Sequence, residues 1–177
     1  MVALRKACAY SKKYTRPYTR ISKKKSKSFI KTVPQIKIPK FTAGIKAKAG
    51  NFEYTISLVS TEKIQARDNA LEASRQYVTR ELDKLIPGQF YLQLSVYPHH
   101  ILRENKMLTG AGSDRMQTGM QRSFGKTIGR AALIKPGQRI FTAMASGDKS
   151  IRIIRAAFNA VKSKLPGRTT ITLVKNQ

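Results

Sequence analysis

The sequence predicts an α+β fold, a two-layer sandwich of mostly antiparallel strands with two helices. Residues 89–97 alternate strictly between apolar and polar side chains, which is typical of a half-buried strand. Residues 61–85 and 148–165 instead repeat their apolar side chains at helical spacing. Several strands with two separated helices, rather than a regular alternation of strand and helix, favour the α+β class.

The first predicted elements are a strand over residues 52–59, rich in β-branched and aromatic residues, and the helix over 61–85. Thr61 is the predicted N-cap, Glu62 suits the positive end of the helix dipole, and the Pro-Gly pair at 87–88 ends the helix. The predicted apolar face of this helix comprises Ile64, Leu71, Val78, Leu82 and Leu85. In the strand that follows, Phe90, Leu92, Leu94 and Val96 are expected on the buried face, with Tyr91, Gln93, Ser95 and Tyr97 opposite.

The second half of the chain predicts three further strands and the second helix. Residues 129–134 and 138–145 predict two short strands, and the Lys-Pro-Gly sequence at 135–137 predicts a type II turn that joins them as a hairpin. Asp148 is the predicted cap of the second helix, and residues 169–174 predict the last strand. The apolar face of that helix comprises Ile151, Ile154, Phe158, Val161 and Leu165.

The charge of the chain indicates a polyanionic partner. The 52 residues that precede Glu53 contain fifteen Lys or Arg and no Asp or Glu. Such a segment repels itself and needs an external polyanion, for which nucleic-acid phosphate is the first candidate. Residues 53–177 still hold 20 Lys and Arg against 9 Asp and Glu, so the folded part is expected to bind as well.

The composition predicts a basic extension over residues 1–51 and a single domain over residues 52–177. Cys8 is the only cysteine, so neither an intrachain disulfide nor a cysteine-rich zinc site is expected, and a reducing cytosol is the expected compartment. Apolar runs such as 131–134 stop far short of the ~20 residues that span a bilayer. We therefore expect a soluble cytoplasmic protein.

Three tyrosines of the extension, Tyr10, Tyr14 and Tyr18, are candidates for stacking on bases. They are interleaved with Lys12, Lys13, Arg16 and Arg20, so rings can stack on unpaired bases while cations pair with phosphates. Local packing of these rings is the alternative. The densest basic block, also expected to bind phosphate, comprises Lys23, Lys24, Lys25 and Lys27.

Residues 103–129 sustain neither period and predict a long internal loop with Gly110, Gly112, Gly119 and Gly125. Ordering such a loop costs about 1 to 2 kcal/mol per residue, so we expect it to be flexible in the free protein and ordered on RNA. Its glycines let backbone amides approach phosphate. Its expected phosphate contacts are Arg103, Lys106, Arg115, Arg122, Lys126 and Arg130.

The helix predicted at 61–85 is nearly neutral. Five of the nine acids of the chain lie within it, offset by five cations. Because carboxylates repel phosphate, this helix is expected to face away from the nucleic acid. The acids concerned are Glu62, Asp68, Glu72, Glu81 and Asp83.

Motifs for catalysis or cofactor binding are incomplete. The segment 119–127 has five residues between its glycines where a P-loop needs four, and the Gly-Ala-Gly at 110–112 lacks the third glycine of a dinucleotide fingerprint. His99 and His100 would point to opposite faces of a strand, and no further metal ligands accompany them. Packing or a surface contact is expected for both. We therefore expect no enzymatic activity, no metal and no cofactor.

Specific residues identify a resemblance to a known family. Asn105-Lys106-Met107-Leu108, then GAGSDRMQTGM at 110–120 and Phe124-Gly125-Lys126, resemble the internal loop of the archaeal and eukaryotic large-subunit ribosomal protein L ten-e, the counterpart of bacterial L sixteen. Supporting segments are Val33-Pro34 with Lys37, Ile38, Phe41 and Gly44, Ala70 to Ala73, LIKPGQRIF at 133–141 and Lys164 to Arg168. The resemblance covers nearly the whole chain.

The resemblance implies a hammerhead-type α+β fold and a place in the large ribosomal subunit. It implies binding to large-subunit ribosomal RNA near the peptidyl-transferase centre, beside the elbow of A-site tRNA, the 5S rRNA region and neighbouring ribosomal proteins. Implied anchors on ribosomal RNA are Arg5, Lys6, Lys12, Lys13, Arg16 and Arg20. The implied loop near A-site and P-site tRNA spans residues 106–120, with Lys106, Met107, Gly110, Gly112, Arg115, Met116, Gly119 and Met120. An archaeal member is expected, because bacterial members have a much shorter loop and this sequence ends at Gln177 without a long C-terminal extension.

Two other classes of protein share some of these features. An architectural DNA-binding protein outside the ribosome would share the charge, but a long glycine-rich loop has no obvious use on duplex DNA. An RNA-modifying enzyme would need a cofactor pocket or an acid-base pair, which the sequence does not reveal.

Overall fold

The computed structural model of the protein describes residues 6, 8–11, 24–105, 110–112 and 125–176, with the side chains of 25, 48 and 49 outside that description. Its helices are α1 (Cys8–Ser11), α2 (Asp68–Leu85) and α3 (Asp148–Val161), with short 3-10 helices at Lys25–Lys27, Lys46–Asn51 and Lys162–Lys164. Its strands are β1 (Thr42–Gly44), β2 (Tyr54–Ser60), β3 (Ile64–Arg67), β4 (Phe90–Leu94), β5 (His100–Glu104), β6 (Lys126–Ile134), β7 (Arg139–Ala145) and β8 (Thr169–Lys175).

The strands form two antiparallel sheets. The larger sheet has the order β1-β4-β7-β2-β8, and the smaller one has the order β3-β6-β5. In the larger sheet Ile56 of β2 lies opposite Ala143 of β7 and Leu173 of β8. In the smaller sheet Ala66 of β3 lies opposite Ala132 of β6. The predicted α+β class is confirmed.

The core lies between the sheets and the two long helices. Helix α2 contacts β3, β4 and β6, whereas α3 contacts β2 and β7, and the two helices also pack on each other. Phe141 of β7 and Phe158 of α3 are fully buried, with ring centroids 6.4 Å apart. The periodic apolar residues of α3 thus pack against the larger sheet, as their spacing predicts.

The predicted start of the first helix is wrong. Residues 64–67 form strand β3, and α2 begins only at Asp68. Thr61 is not a cap, because its hydroxyl and its backbone N–H both donate to the carbonyl of Arg168, at 2.9 and 3.0 Å. The strand runs into the helix without a turn residue between them, and Ile64 also falls on the helical period of Leu71, so the sequence pattern merges the two elements.

The far end of α2 also differs from the prediction. Leu85 belongs to the predicted apolar face, yet 49% of its surface is exposed. Leu71, Val78 and Leu82 are fully buried, as expected. The buried stripe therefore ends at Leu82, one helical turn before the end of the helix. Ile86, just beyond the helix, is again buried, with 4% of its surface exposed.

The predicted hairpin at 135–137 is also wrong. The turn forms, with Gln138 N–H donating to the Lys135 carbonyl at 3.2 Å and Gly137 at a φ of +76°. However, β6 pairs with β3 and β5, whereas β7 pairs with β2 and β4, so the turn carries the chain from one sheet to the other. Local turn chemistry specifies the reversal of direction but not the strand that pairs.

Two further boundaries need correction. Asp148 is the first residue of α3 rather than its cap, which is Gly147 at a φ of +83°. The strand predicted at 89–97 ends at Leu94, and residues 95–99 cross to the smaller sheet. Tyr91, expected on the open face, is only 6% exposed, whereas Gln93 on the same face is exposed.

Part of the predicted extension packs on the domain. Strand β1 pairs with β4, and Ile30 and Ile38 are buried, with 3% and 2% exposed. Gly44 makes a close approach possible, since a Cβ atom there would lie 2.2 Å from the carbonyl oxygen of Phe90. Residues 30–44 therefore pack on the sheets, and β1 within this segment is a strand of the larger sheet.

Candidate nucleic-acid interface

Several carboxylates of the described chain are bonded within the fold. Asp68 is 4% exposed and accepts hydrogen bonds from the backbone N–H groups of Lys37 and Asn69, at 3.3 and 2.9 Å. Glu104 accepts a hydrogen bond from the Tyr10 hydroxyl at 2.7 Å. These hydrogen bonds attach segment 8–11 to the smaller sheet and the basic segment 30–44 to the start of α2.

Glu72 forms a close ion pair with Arg75. It is 7% exposed and accepts from Arg75 Nε at 2.8 Å and Nη2 at 2.6 Å, and from Gln76 at 2.8 Å. Burial alone would raise the pKa of Glu72, but the hydrogen bonds from Arg75 and Gln76 and the charge of Arg75 outweigh it, so its pKa is lowered. The hydrogen bond to Glu72 raises the pKa of Arg75.

Replacing Glu72 with glutamine is expected to lower the free energy of unfolding by about 2 kcal/mol near neutral pH, because Arg75 then lacks its charged partner. The folded-state pKa of Glu72 lies below its ordinary 4.5, so its contribution is present above that value and is lost as pH falls through the folded pKa. Urea unfolding across a pH series should show the two proteins converging in acid. A gap that persists unchanged there would contradict the assignment.

Two of the more exposed acids have arginine neighbours. Glu62 lies 3.8 Å from Arg168, and Glu81 lies 3.8 Å from Arg80. Such surface pairs add little stability, but they cancel negative charge locally. Exposed cations of the described chain include Lys27, Lys31, Lys37, Lys40, Lys46, Lys126, Lys135, Arg139, Lys149, Arg152 and Arg155. The described surface is therefore strongly basic.

The charge of the first long helix differs from the sequence interpretation. Glu62 precedes β3 and lies outside α2, and both Asp68 and Glu72 are buried. Only Glu81 and Asp83 place negative charge on the outer surface of α2, beside Arg80 and Lys84. The orientation of this helix relative to nucleic acid stays a prediction, and it now rests on two surface carboxylates instead of five.

The predicted phosphate contacts fall into three groups. Lys6, Lys24, Lys27 and Lys126 are exposed, and Lys25 lies in the 3-10 helix Lys25–Lys27. Outside the described residues lie Arg5, Lys12, Lys13, Arg16, Arg20, Lys23 and Arg122. The third group, Arg103 and Arg130, lies in strands.

The two arginines of the third group have different surroundings. Arg103 lies in β5 with 8% exposed, so it presents little surface to a partner. Arg130 in β6 is partly exposed, and its Nε donates to the Pro34 carbonyl at 2.7 Å. Arg130 thus ties the basic segment to the smaller sheet.

The structure favours local packing for Tyr10. This ring is 6% exposed, Arg67 lies over it at 5.2 Å, and its backbone carbonyl accepts a hydrogen bond from Gln65. A ring enclosed in this way offers little surface to a base, which favours the local-packing alternative over stacking for Tyr10. Tyr14 and Tyr18 lie outside the described residues.

Both ends of the predicted internal loop lie in strands. Arg103 and Glu104 end β5, and residues 126–129 belong to β6, so these ends of the predicted range 103–129 are not loop. Both strands pair with each other, which brings the two ends of the loop together. Gly110 and Gly112 are exposed, with φ values of +139° and +80°. Lys106, Met107, Arg115, Met116, Gly119 and Met120 lie outside the described residues, as does most of the loop whose flexibility is predicted.

The surface carries a group of aromatic side chains that was not predicted from the sequence. The Tyr97 ring is 42% exposed and stacks on Phe41 at 5.4 Å, and it also lies 4.4 Å from the His99 ring. Arg130 Nη1 donates to the Tyr97 hydroxyl at 3.3 Å. The Tyr-Pro-His spacing at 97–99 was the available signal, since alternate residues of an extended segment share a face.

Among the residues that the structure describes, no three His, Cys, Asp or Glu side chains come together as metal ligands. None of the helices in the described ranges has the length and apolar character to cross a membrane.

Comparisons with known proteins agree with the resemblance in the loop and helix segments. A family model described as ribosomal protein L16p/L10e matches residues 16–172. The chain is 42% identical over 160 residues to the large ribosomal subunit protein uL16 of Pyrobaculum islandicum, covering 89% of this chain and 84% of the relative. It is 42% identical over 153 residues to the uL16 protein of Thermofilum pendens, covering 86% of each. It is 41% identical over 175 residues to that of Caldivirga maquilingensis, covering 97% of this chain and 95% of the relative. The chain therefore belongs to the L16p/L10e family of ribosomal proteins.

Proposed function

We propose that this protein is a structural constituent of the large ribosomal subunit and binds large-subunit ribosomal RNA. Family membership and the names of the relatives, large ribosomal subunit protein uL16, support the ribosomal part. The charge distribution supports the RNA part. The chain has a net charge of +26, while Asp68 and Glu72 are buried and Glu104 is hydrogen-bonded to Tyr10.

The finer role follows the family resemblance. The protein would lie near the peptidyl-transferase centre, beside the A-site tRNA elbow and the 5S rRNA region, in contact with neighbouring ribosomal proteins, and would have the hammerhead-type sandwich. Its loop at 106–120 would reach toward A-site and P-site tRNA. The pairing of β5 with β6 supports this reach, because a loop rooted in one antiparallel pair projects from a fixed base. The chemistry of peptide-bond formation would remain with the RNA, and the protein would position tRNA without catalysis.

Salt dependence of binding tests the electrostatic part of this proposal. If about ten phosphates are neutralised, the slope of log affinity against log salt should be near −9 on duplex-like RNA and shallower on single strands. Filter binding of the full chain to a large-subunit ribosomal RNA fragment, over a series of salt concentrations, gives this slope. A slope near zero would exclude binding driven by phosphate.

Competition between nucleic acids tests the choice of partner. At fixed salt, ribosomal RNA should displace the protein from duplex DNA far more effectively than duplex DNA displaces it from ribosomal RNA. Irregular RNA offers unpaired bases and a wide minor groove, whereas duplex DNA offers this protein mainly its phosphates. Equal competition would instead support an architectural nucleic-acid-binding protein outside the ribosome.

A further inference from the structure

Phe41, Tyr97, His99 and Arg130 form an aromatic cluster where the chain crosses between the two sheets. Residues 95–99 lead from β4 in the larger sheet to β5 in the smaller one, and residues 135–138 lead from β6 back to β7. A groove of about 490 Å³ lies between these crossings, and its lining includes Ser95, Tyr97, His99, Leu133 and Gln138. None of the described residues that line it is acidic.

The rings of the cluster are held in place by the fold. Phe41 and Tyr97 are nearly parallel, with an interplanar angle of 18°. His99 N–H donates to the Tyr97 carbonyl at 3.0 Å, which closes a tight turn around the buried Pro98. Arg130 binds both the Tyr97 hydroxyl and the Pro34 carbonyl. Rings fixed in this way lose little conformational entropy when a ligand stacks on them.

The cluster lies in a cationic setting. Arg130 belongs to it, and Lys135 and Arg139 are exposed at either end of the turn beside Gln138. Lys40, also exposed, directly precedes Phe41. Exposed aromatic faces flanked by cations and free of carboxylates match an unpaired nucleotide, which presents a π face and a phosphate together.

We propose that this cluster is a stacking site for an unpaired base of RNA, with the base against the Tyr97 and His99 rings and its phosphate near Arg130, Lys135 or Arg139. The site rests on the proposed RNA-binding function, and its stacking residues, Tyr97 and His99, lie outside the predicted extension and the predicted internal loop. It assigns to these two rings the stacking role that the sequence suggested for Tyr10, which is buried.

Fluorescence of a short single-stranded RNA that carries 2-aminopurine tests the site. Binding of the full chain should quench the probe, because stacking on an aromatic ring quenches this base. Tyr97→Ala and, separately, His99→Ala should weaken binding by roughly 10-fold and reduce the quenching at saturation. The salt slope should stay unchanged, because neither substitution removes a phosphate contact.

Two control variants separate stacking from general damage to the fold. Tyr97→Phe retains the ring and should bind and quench as the wild type does. Tyr77→Ala removes a partly exposed ring on α2, which has Arg80 and Lys164 at 5.8 and 5.7 Å, and should leave binding unchanged. If Tyr97→Ala fails to fold, His99→Ala still tests the site, because His99 is exposed and its replacement should not disturb the core.

The outcomes separate this site from the wider proposal. If the wild type binds the RNA with a steep salt slope but Tyr97→Ala and His99→Ala retain full affinity and quenching, the stacking site is wrong and the proposed function stands. If Tyr77→Ala weakens binding as much as Tyr97→Ala, the assignment to this cluster is likewise overturned. If the wild type does not bind RNA at all, both the stacking site and the proposed function are wrong.

Discussion

Replacing both Lys37 and Lys40 with glutamine is expected to weaken binding to ribosomal RNA by about 30-fold at physiological salt. Both side chains are exposed, on a segment that is fixed to the domain rather than free. Lys37 N–H is bonded to Asp68, and the neighbouring Phe41 stacks on Tyr97. Each phosphate contact releases about 0.9 counterions on duplex-like RNA, so two lost contacts should also reduce the salt slope by about 1.8.

The matched control for this pair is Arg80→Gln with Lys84→Gln on the outer surface of α2. It removes the same number of exposed cations from the element that is expected to face away from the RNA. Filter binding across a salt series should give nearly wild-type affinity and slope for this control. If both double variants lose affinity equally, binding depends on net charge alone, and the predicted orientation of α2 is wrong.

Replacing Phe158 with alanine is expected to lower the free energy of unfolding by about 4 kcal/mol. The side chain is fully buried on α3, and its ring contacts that of Phe141 across the interface between helix and sheet. Alanine forfeits the buried apolar surface and leaves a cavity that the surrounding strands can fill only in part. Urea unfolding followed by circular dichroism measures the loss.

Phe158→Leu is the control for this core position. It retains an apolar side chain of similar size and should cost only about 1 kcal/mol. A loss below 1 kcal/mol for alanine itself would mean that α3 does not pack on β7 as described. Because the Phe158 side chain is fully buried, it offers no surface to RNA, and residual RNA binding should follow the folded fraction.

Long periodic elements were predictable from the sequence, whereas the pairing of strands was not. Helix α3 and strand β8 match their predicted positions closely, because 3.6-residue and two-residue periods are local properties of the chain. The predicted hairpin between β6 and β7 is wrong because a Pro-Gly turn specifies only that the chain reverses its direction. Which sheet receives the next strand depends on contacts distant in sequence.

Short strands were the other source of error. Strand β3 has four residues and leads directly into α2, and β5 lies at the edge of what the sequence indicated as loop. Their burial comes from tertiary contacts, such as Gln65 with the Tyr10 carbonyl and Tyr10 with Glu104. A four-residue strand carries too few positions to establish a period.

The positive charge of the candidate interface could be predicted from the sequence, but the positions of its aromatic side chains could not. An acid-free segment of 52 residues indicates a polyanion without any structure. Tyr97 is exposed, as its place on the open face predicted, but Tyr10 is buried, because a ring between cations can be enclosed by the fold as readily as it can meet a base.

Co-sedimentation with the large ribosomal subunit across a salt series tests the central claim most directly. The protein should sediment with the large subunit at physiological salt and should be released only at high salt, because many phosphate contacts must be lost together. Release at low salt, or equal distribution between the large subunit and bulk nucleic acid, would contradict a structural role in the large subunit.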